Sequence, residues 1–341
     1  MSESVRSGLL AAGNFIVDHV KIIDHYPQEN MLASILSQSS SNGGGPYNVL
    51  KDLAAMRAPF PLEACGLVGA DDHGRWIRND LRAHGIDAAQ LHETPERATS
   101  YTDAMTVAST GRRTFFHQRG ANALFDAGHC DFSRTRAKLF HLGYLMLLDT
   151  LDRFDEAAPG RTRASILLEK AKTAGLVTTL DIVSTEHPQF SEIVRSALPF
   201  TDHLLLNEAE AARVLQRDCP ADQPAALMQA ARDLLALGVG STVTLHTEHG
   251  AVAVTRDGEE AAQPALQLPP DFSRGATGAG DAFAAGYLLG LHDDRPLAHR
   301  LMLAVCAAAQ SLTHPAPSAG LVEIKECLAL AQRFPFRSFS L

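Results

Sequence analysis

Arg274-Gly275-Ala276-Thr277-Gly278-Ala279-Gly280-Asp281-Ala282-Phe283 is the stretch around which this chain is organised. Pro269 and Pro270 break any regular element before it, and the apolar run AFAAGYLLGL (282–291), rich in helix formers, follows. The glycine-rich segment therefore reads as a loop feeding a helix N-terminus. Unpaired backbone N–H groups and the positive end of the helix dipole suit such a terminus to a phosphate. Gly278, Ala279 and Gly280 are small enough to let an anion approach the backbone closely. Asp281, in the same turn, repels an anion and is disfavoured there unless it has a task. Removing a proton from a hydroxyl that attacks the phosphate is such a task. Taken alone, the string also reads as a glycine turn with a helix-capping Asp.

The 341 residues, 45% hydrophobic, suffice for one large α/β core. A net charge of −9 argues against nucleic-acid and anionic-membrane surfaces. The five cysteines (Cys65, Cys130, Cys219, Cys306, Cys327) show no C-x-x-C spacing, so neither a disulfide framework nor a zinc site is expected. The N-terminus MSESVRSG is polar, and no apolar window reaches the length of a membrane span. These features predict a soluble, cytoplasmic protein.

Residues 8–17 (GLLAAGNFIV) read as a buried first strand that delivers polar groups at its C-terminal end, where open α/β sheets hold ligands. Asn14 and Asp18 there have the donors and acceptors to hold the hydroxyls of a polar ligand. Segments 19–23 and 31–36 look like short strands outside the βα alternation, and 37–42 (SQSSSN) reads as a flexible lead-in. Gly43-Gly44-Gly45-Pro46 then opens a helix to about residue 56, with Pro in its first turn. Segments 99–107 and 113–117 flank the turn 109–112 as a hairpin. With 19–23 and 31–36 they predict a four-stranded lid, carried by about residues 18–40 and 98–120. Arg112 and Arg113 at the hairpin tip are basic candidates to close over an anion. From residue 137 strands and helices alternate, which predicts a doubly wound, mainly parallel sheet flanked by helices, within a single domain.

The TGAGD string (277–281) resembles the C-terminal signature D-T-x-G-A-G-D of the ribokinase-like (PfkB) carbohydrate kinases, with Gly275 and Ala276 in place of the leading Asp and Thr. Other elements of similar form occur in the same order over about residues 8–330: Asn14 and Asp18, Gly44 with Asn48, V-G-x-D-x-x-G at 68–74, and Asn207-x-x-Glu210. The resemblance implies a ribokinase-like α/β fold with a β-sheet lid, and ATP and Mg²⁺ as partners of the chemistry. It implies that Asp281 is the catalytic base and that the amides of Gly278, Ala279 and Gly280 form an anion hole. Asn14, Asp18, Gly44, Asn48 and Asp281 would bind the sugar, and Asn207 and Glu210 would organise Mg²⁺ and its water. The nucleotide would be bound by Asn207, Thr247, Gly250, Gly278, Gly280 and Val305. Thr247 stands where a Gly is usual, and Val305 where a polar residue often contacts adenine.

The resulting expectation is an ATP-dependent kinase acting on a hydroxymethyl group of a small sugar or sugar-like alcohol. A nucleoside kinase of the same fold is the alternative, and a catalytically weak sugar- or nucleotide-binding protein is the rival from another class. Without a carboxylate at Gly275, weak or absent activation by potassium is expected, with the neighbouring Arg274 as a candidate to supply the positive charge. The lid strands bury little surface alone, so pairing of two copies through the lid is expected.

Overall fold

The computed structural model describes residues 6–339. Its strands are, in chain order, β1 (Leu9–Gly13), β2 (Ile16–Ile23), β3 (Ile35–Gly43), β4 (Leu62–Gly69), β5 (Asp87–Thr94), β6 (Tyr101–Val107), β7 (Arg113–Gln118), β8 (Leu139–Leu145), β9 (Val177–Ile182), β10 (His203–Asn207), β11 (Thr242–His246), β12 (Gly250–Thr255) and β13 (Glu260–Pro264). The α-helices are α1 (Gly45–Ala55), α2 (Asp72–Ala83), α3 (Asp149–Asp152), α4 (Arg163–Thr173), α5 (Phe190–Ala197), α6 (Glu208–Leu215), α7 (Pro224–Ala236), α8 (Ala279–His292), α9 (Leu297–Ser311) and α10 (Ile324–Arg333).

Nine strands form one sheet in the order β13-β12-β11-β10-β9-β8-β1-β4-β5. From β5 to β11 neighbours run parallel, and β12 and β13 close one edge antiparallel. The interior strand β1 (LLAAG) is buried throughout and carries no polar side chain, because both faces of a doubly wound sheet are covered. Strand alternation divides its side chains: Leu10 and Ala12 join the core against α4–α7, while Leu9 and Ala11 join the core against α1, α8, α9 and α10.

The first strand ends earlier than its apolar run suggests. After Gly13 the chain leaves the large sheet, and Ile16 starts β2 in a second sheet of order β3-β2-β6-β7. Asp18 is therefore a residue of the small sheet, paired in register with Ser41 and Thr102. The serine-rich segment 37–42 is not a flexible lead-in, and 31–36 is not a strand of its own: both expectations give way to β3, which pairs with β2 along its length. An edge strand exposed over most of its length needs no apolar alternation, and ladder pairing overrides the weak propensity of Ser.

Among the described residues, seven of the nine exposed large hydrophobic side chains lie in this small sheet or its β2–β3 connection: Tyr26, Met31, Leu32, Ile35, Leu36, Phe115 and Phe116. Ile23, Tyr26, Ile35, Met105 and Phe116 line an apolar groove of about 430 Å³ on it. Among the described residues no helix is long and apolar enough to cross a membrane.

Candidate active site

Five neighbouring parallel strands deliver polar side chains at or just beyond their C-terminal ends: Asn14 after β1, Tyr144 in β8, Asp181 in β9, Asn207 in β10 and His246 in β11. An open α/β sheet presents its ligand crevice at this edge, next to the point where strand order reverses about β1. Helix α8 points its N-terminus into the crevice. Gly278 caps it in the left-handed region (φ 80°), and Asp281 lies in the first turn, buried. The Ala279 amide turns back to the Ala276 carbonyl at 3.3 Å. The amides of Gly280 and Asp281 donate to no backbone carbonyl and remain free for an anion.

Both oxygens of Asp281 are held. The Tyr144 hydroxyl donates to Oδ1 at 2.5 Å, and Asn48 Nδ2 donates to Oδ2 at 2.8 Å. Asn42 Nδ2 in turn donates to Asn48 Oδ1 (2.7 Å) and to Ser318 Oγ (3.0 Å). A carboxylate retains further lone pairs, so these contacts orient the group without saturating it. Burial pushes the Asp281 pKa up to about 6, against the lowering effect of the Tyr144 and Asn48 hydrogen bonds. Such a group is ionised at neutral pH yet basic enough to accept a proton. Burial, and then the charge of Asp281, push the Tyr144 phenol well up, so it remains a donor.

The glycine triplet acquires a reason here. A Cβ at Gly43 would meet the Asp18 carboxylate at 2.4 Å, one at Gly44 the Asn14 carbonyl at 2.4 Å, and one at Gly45 the Tyr144 ring at 2.9 Å. The three residues pack the start of α1 against the acid, the asparagine and the tyrosine at once. Asp18 has its pKa raised to about 7, by burial first and by the Asp281 charge, against a Thr102 hydrogen bond that lowers it. Asn14, expected to contact the sugar, is fully buried, and its side chain accepts from Tyr144 N and donates to the Leu147 carbonyl at 3.3 Å. It holds the turn that carries Tyr144.

Asn207 and Glu210 form a reciprocal capping box at the start of α6: Glu210 N donates to Asn207 Oδ1 (2.8 Å), and Asn207 N to Glu210 Oε2 (2.9 Å). Ser184 Oγ donates to Glu210 Oε1 at 2.8 Å. Burial nevertheless pushes the Glu210 pKa up to about 7. Asp181 is raised as well, by burial and then by the charge of Glu210. Sequence reasoning assigned Asp181 and Tyr144 no role. For Asp181 the available signal was an acid at the end of a central strand; for Tyr144 there was none.

Two cavities share a wall at His246 and Gly280. The smaller, about 240 Å³, holds Tyr144, Asp181, Asn207, Glu210, Gly278 and Asp281. The larger, about 500 Å³, is bounded by Thr247, Gly250, Pro270, Phe283, Val305 and Arg337, among others. Thr247 turns its hydroxyl to the Ala221 carbonyl at 3.1 Å and accepts from His249 N at 3.0 Å, which keeps it at the wall. Gly250 lacks a Cβ where one would meet the Gln263 carbonyl at 2.6 Å. His246 lies 4.7 Å from the Phe283 ring, and burial lowers its pKa to about 4, so it is neutral.

The family model of the pfkB carbohydrate kinases matches residues 11–324. The chain belongs to this family and is an ATP-dependent sugar or nucleoside kinase. It is similar to the ATP-dependent ribose-1-phosphate kinase of Halopiger xanaduensis, with 28% identity over 290 residues, 82% of this chain and 83% of that protein. Two solved structures share the fold. The Arabidopsis thaliana ribokinase complexed with ribose and ATP has a TM-score of 0.77 at 20% identity, covering 96% of this chain and 98% of its own. The Burkholderia thailandensis nucleoside kinase in complex with inosine has a TM-score of 0.73 at 18% identity, covering 96% and 99%.

Proposed function

We propose that the chain transfers the γ-phosphate of ATP to a hydroxymethyl group of a small sugar or nucleoside, with Asp281 as the base. The observation that carries this reading is the position of Asp281: a buried carboxylate with pKa about 6, one residue from a free helix-terminal amide, in a cavity that opens onto a second one. The acceptor lies between Asp18 on the lid and Asp281. Its hydroxyl proton passes to Asp281, its oxygen bonds to the γ-phosphorus, and the bond from that phosphorus to the β–γ bridging oxygen breaks to release ADP. The Gly280 and Asp281 amides stabilise the charge on the transferring group. Asn48 and Tyr144 aim the carboxylate, and Asn14 fixes the Tyr144 turn.

The adenine occupies the larger cavity, against Val305 and Phe283. Among the described residues no three acidic, histidine or cysteine side chains converge as a dedicated metal cage. The oxygen donors Asp181, Asn207 and Glu210 nevertheless fit Mg²⁺, which takes few protein ligands and keeps its water. Glu210 and Asp181 would hold the ion through that water, and when bound it neutralises charge on the nucleotide phosphates. The chain works as a single domain with the small sheet as its lid. The apolar outer face of the lid pairs two copies, and the five unbridged cysteines support a cytoplasmic setting.

The test is ADP production with MgATP against D-ribose, D-fructose, ribose 1-phosphate, inosine and adenosine. Turnover with at least one acceptor is expected. A null across the panel, with nucleotide binding retained, would favour a binding protein instead.

A further inference from the structure

The small cavity presents three acids, Asp181, Glu210 and Asp281, and no lysine or arginine. His246 on its wall is neutral. A polyphosphate entering this crevice therefore meets negative side chains, and its compensating charge has to come from outside the lining. Two basic side chains lie close by. Arg337 stands in the larger cavity. Arg113, the first residue of β7, reaches across from the lid to the loop before α8.

The contact with that loop is specific in shape. A Cβ at Gly275 would lie 2.7 Å from Arg113 Nη2 on one side and 2.9 Å from Pro315 Cα on the other. The guanidinium thus takes the space that any side chain at 275 would need, three residues before the Gly278 cap. Arg113 is half-buried, and burial is the sole influence on its pKa, lowering it; no described acid pairs with it. An unpaired arginine held partly out of water is costly unless an anion completes it. Arg274, the expected source of charge, is instead exposed, with its amide donating to the Leu312 carbonyl.

We propose that Arg113 is the lid's phosphate-binding residue: seated against Gly275, its guanidinium contacts the terminal phosphate of bound ATP and supplies a side-chain positive charge that the lining of the small cavity does not. This rests on reading the 278–281 turn as the phosphate site. Gly275 is the seat that admits the arginine. Closing of the lid and recognition of the γ-phosphate then become one event, and a monovalent cation at the loop is unnecessary.

The experiment measures binding, so it needs no acceptor. Affinities for AMP-PNP and for ADP, each with Mg²⁺, are compared by calorimetry in wild type, Arg113→Lys and Arg113→Ala. Arg113 makes no side-chain hydrogen bond with the described residues, so its truncation should leave the fold intact, which circular dichroism checks. Arg113→Ala is expected to weaken AMP-PNP about tenfold or more and ADP by less than about threefold, as loss of one charge-assisted contact to the terminal phosphate requires. Arg113→Lys should fall between, and guanidinium chloride at millimolar concentration should restore part of the loss in the alanine variant alone. Equal loss for both nucleotides, or no loss, overturns the proposal. A second arm titrates potassium chloride into wild type against choline chloride at constant ionic strength. An unchanged AMP-PNP affinity is expected, and a saturable several-fold tightening would overturn the proposal. An acceptor panel that yields no ADP would sink the turnover reading while leaving both arms decisive.

Discussion

Replacing Tyr144 by Phe removes one hydroxyl and keeps the ring that packs against Gly45, so it isolates the hydrogen bond to Asp281. That bond stabilises the ionised carboxylate, and its loss moves the Asp281 pKa further up from about 6. A hydrogen bond to a charged group contributes roughly 1.5–3 kcal/mol, and one pKa unit corresponds to about 1.4 kcal/mol, so a rise of about one to two units follows. The acid limb of kcat/KM should then move from near pH 6 to roughly pH 7–8. At pH 7 the ionised fraction falls from about nine-tenths to between roughly a tenth and a half, a loss of about two- to tenfold. By about pH 9 both forms are ionised and the difference should nearly vanish. The assay is initial-rate ADP formation with the acceptor found in the panel, from about pH 5 to pH 9 in buffers of constant ionic strength. An acid limb that stays in place or moves down, or a loss equal at every pH, would refute the reasoning.

Asp52 is fully buried in α1, and burial raises its pKa well above the usual range, against the lowering effect of the neighbouring Ser318 hydroxyl. Its folded form favours the proton, so the stability tied to it is complete below the unfolded pKa and is lost as pH rises towards the folded one. Asp52→Asn should therefore gain on wild type in thermal stability between about pH 5 and pH 8, and a gap that shrinks with pH would contradict this. Val305 is apolar and buried on the wall of the larger cavity, so if adenine binds there as proposed, base recognition should rest on packing. The kcat/KM values for ATP and GTP should lie within about tenfold, and a preference of several hundredfold would mean that polar base contacts exist. Phe116, exposed on the lid, should be central to pairing of two copies. Light scattering at micromolar concentration should find a dimer for wild type and a monomer for Phe116→Glu; a monomeric wild type would end that proposal.

Legibility from sequence followed the range of the interactions concerned. The 277–281 turn was readable because its chemistry is local: glycines, a helix start and an acid within a few residues. The strands from 177 to 245 were readable because buried parallel strands are short apolar runs between helices. Two edge strands, β3 and β13, were not. The β13 segment (EAAQP) and the serines of β3 have little intrinsic strand preference and are strands through their partners. Asn207 and Glu210 read as a metal-organising pair as well as a helix cap; the capping box is formed, with Asp181 beside it, and it leaves the metal role to experiment. Tyr144 and Asp281 are 137 residues apart, and the space at Gly275 is filled by a residue of another sheet. No spacing rule carries that information, so the partners of the acid and of the anion loop emerged only when the sheet edges were assembled.

The most direct test of the central claim is Asp281→Asn, assayed for turnover and for nucleotide binding on the same preparation. The amide is nearly isosteric and can keep the Asn48 and Tyr144 neighbours, but it cannot take a proton from the acceptor. The account predicts a fall in kcat of about 10²–10⁴-fold with AMP-PNP affinity held within about threefold. A variant that retains near-wild-type kcat would remove Asp281 from the chemistry and contradict the account.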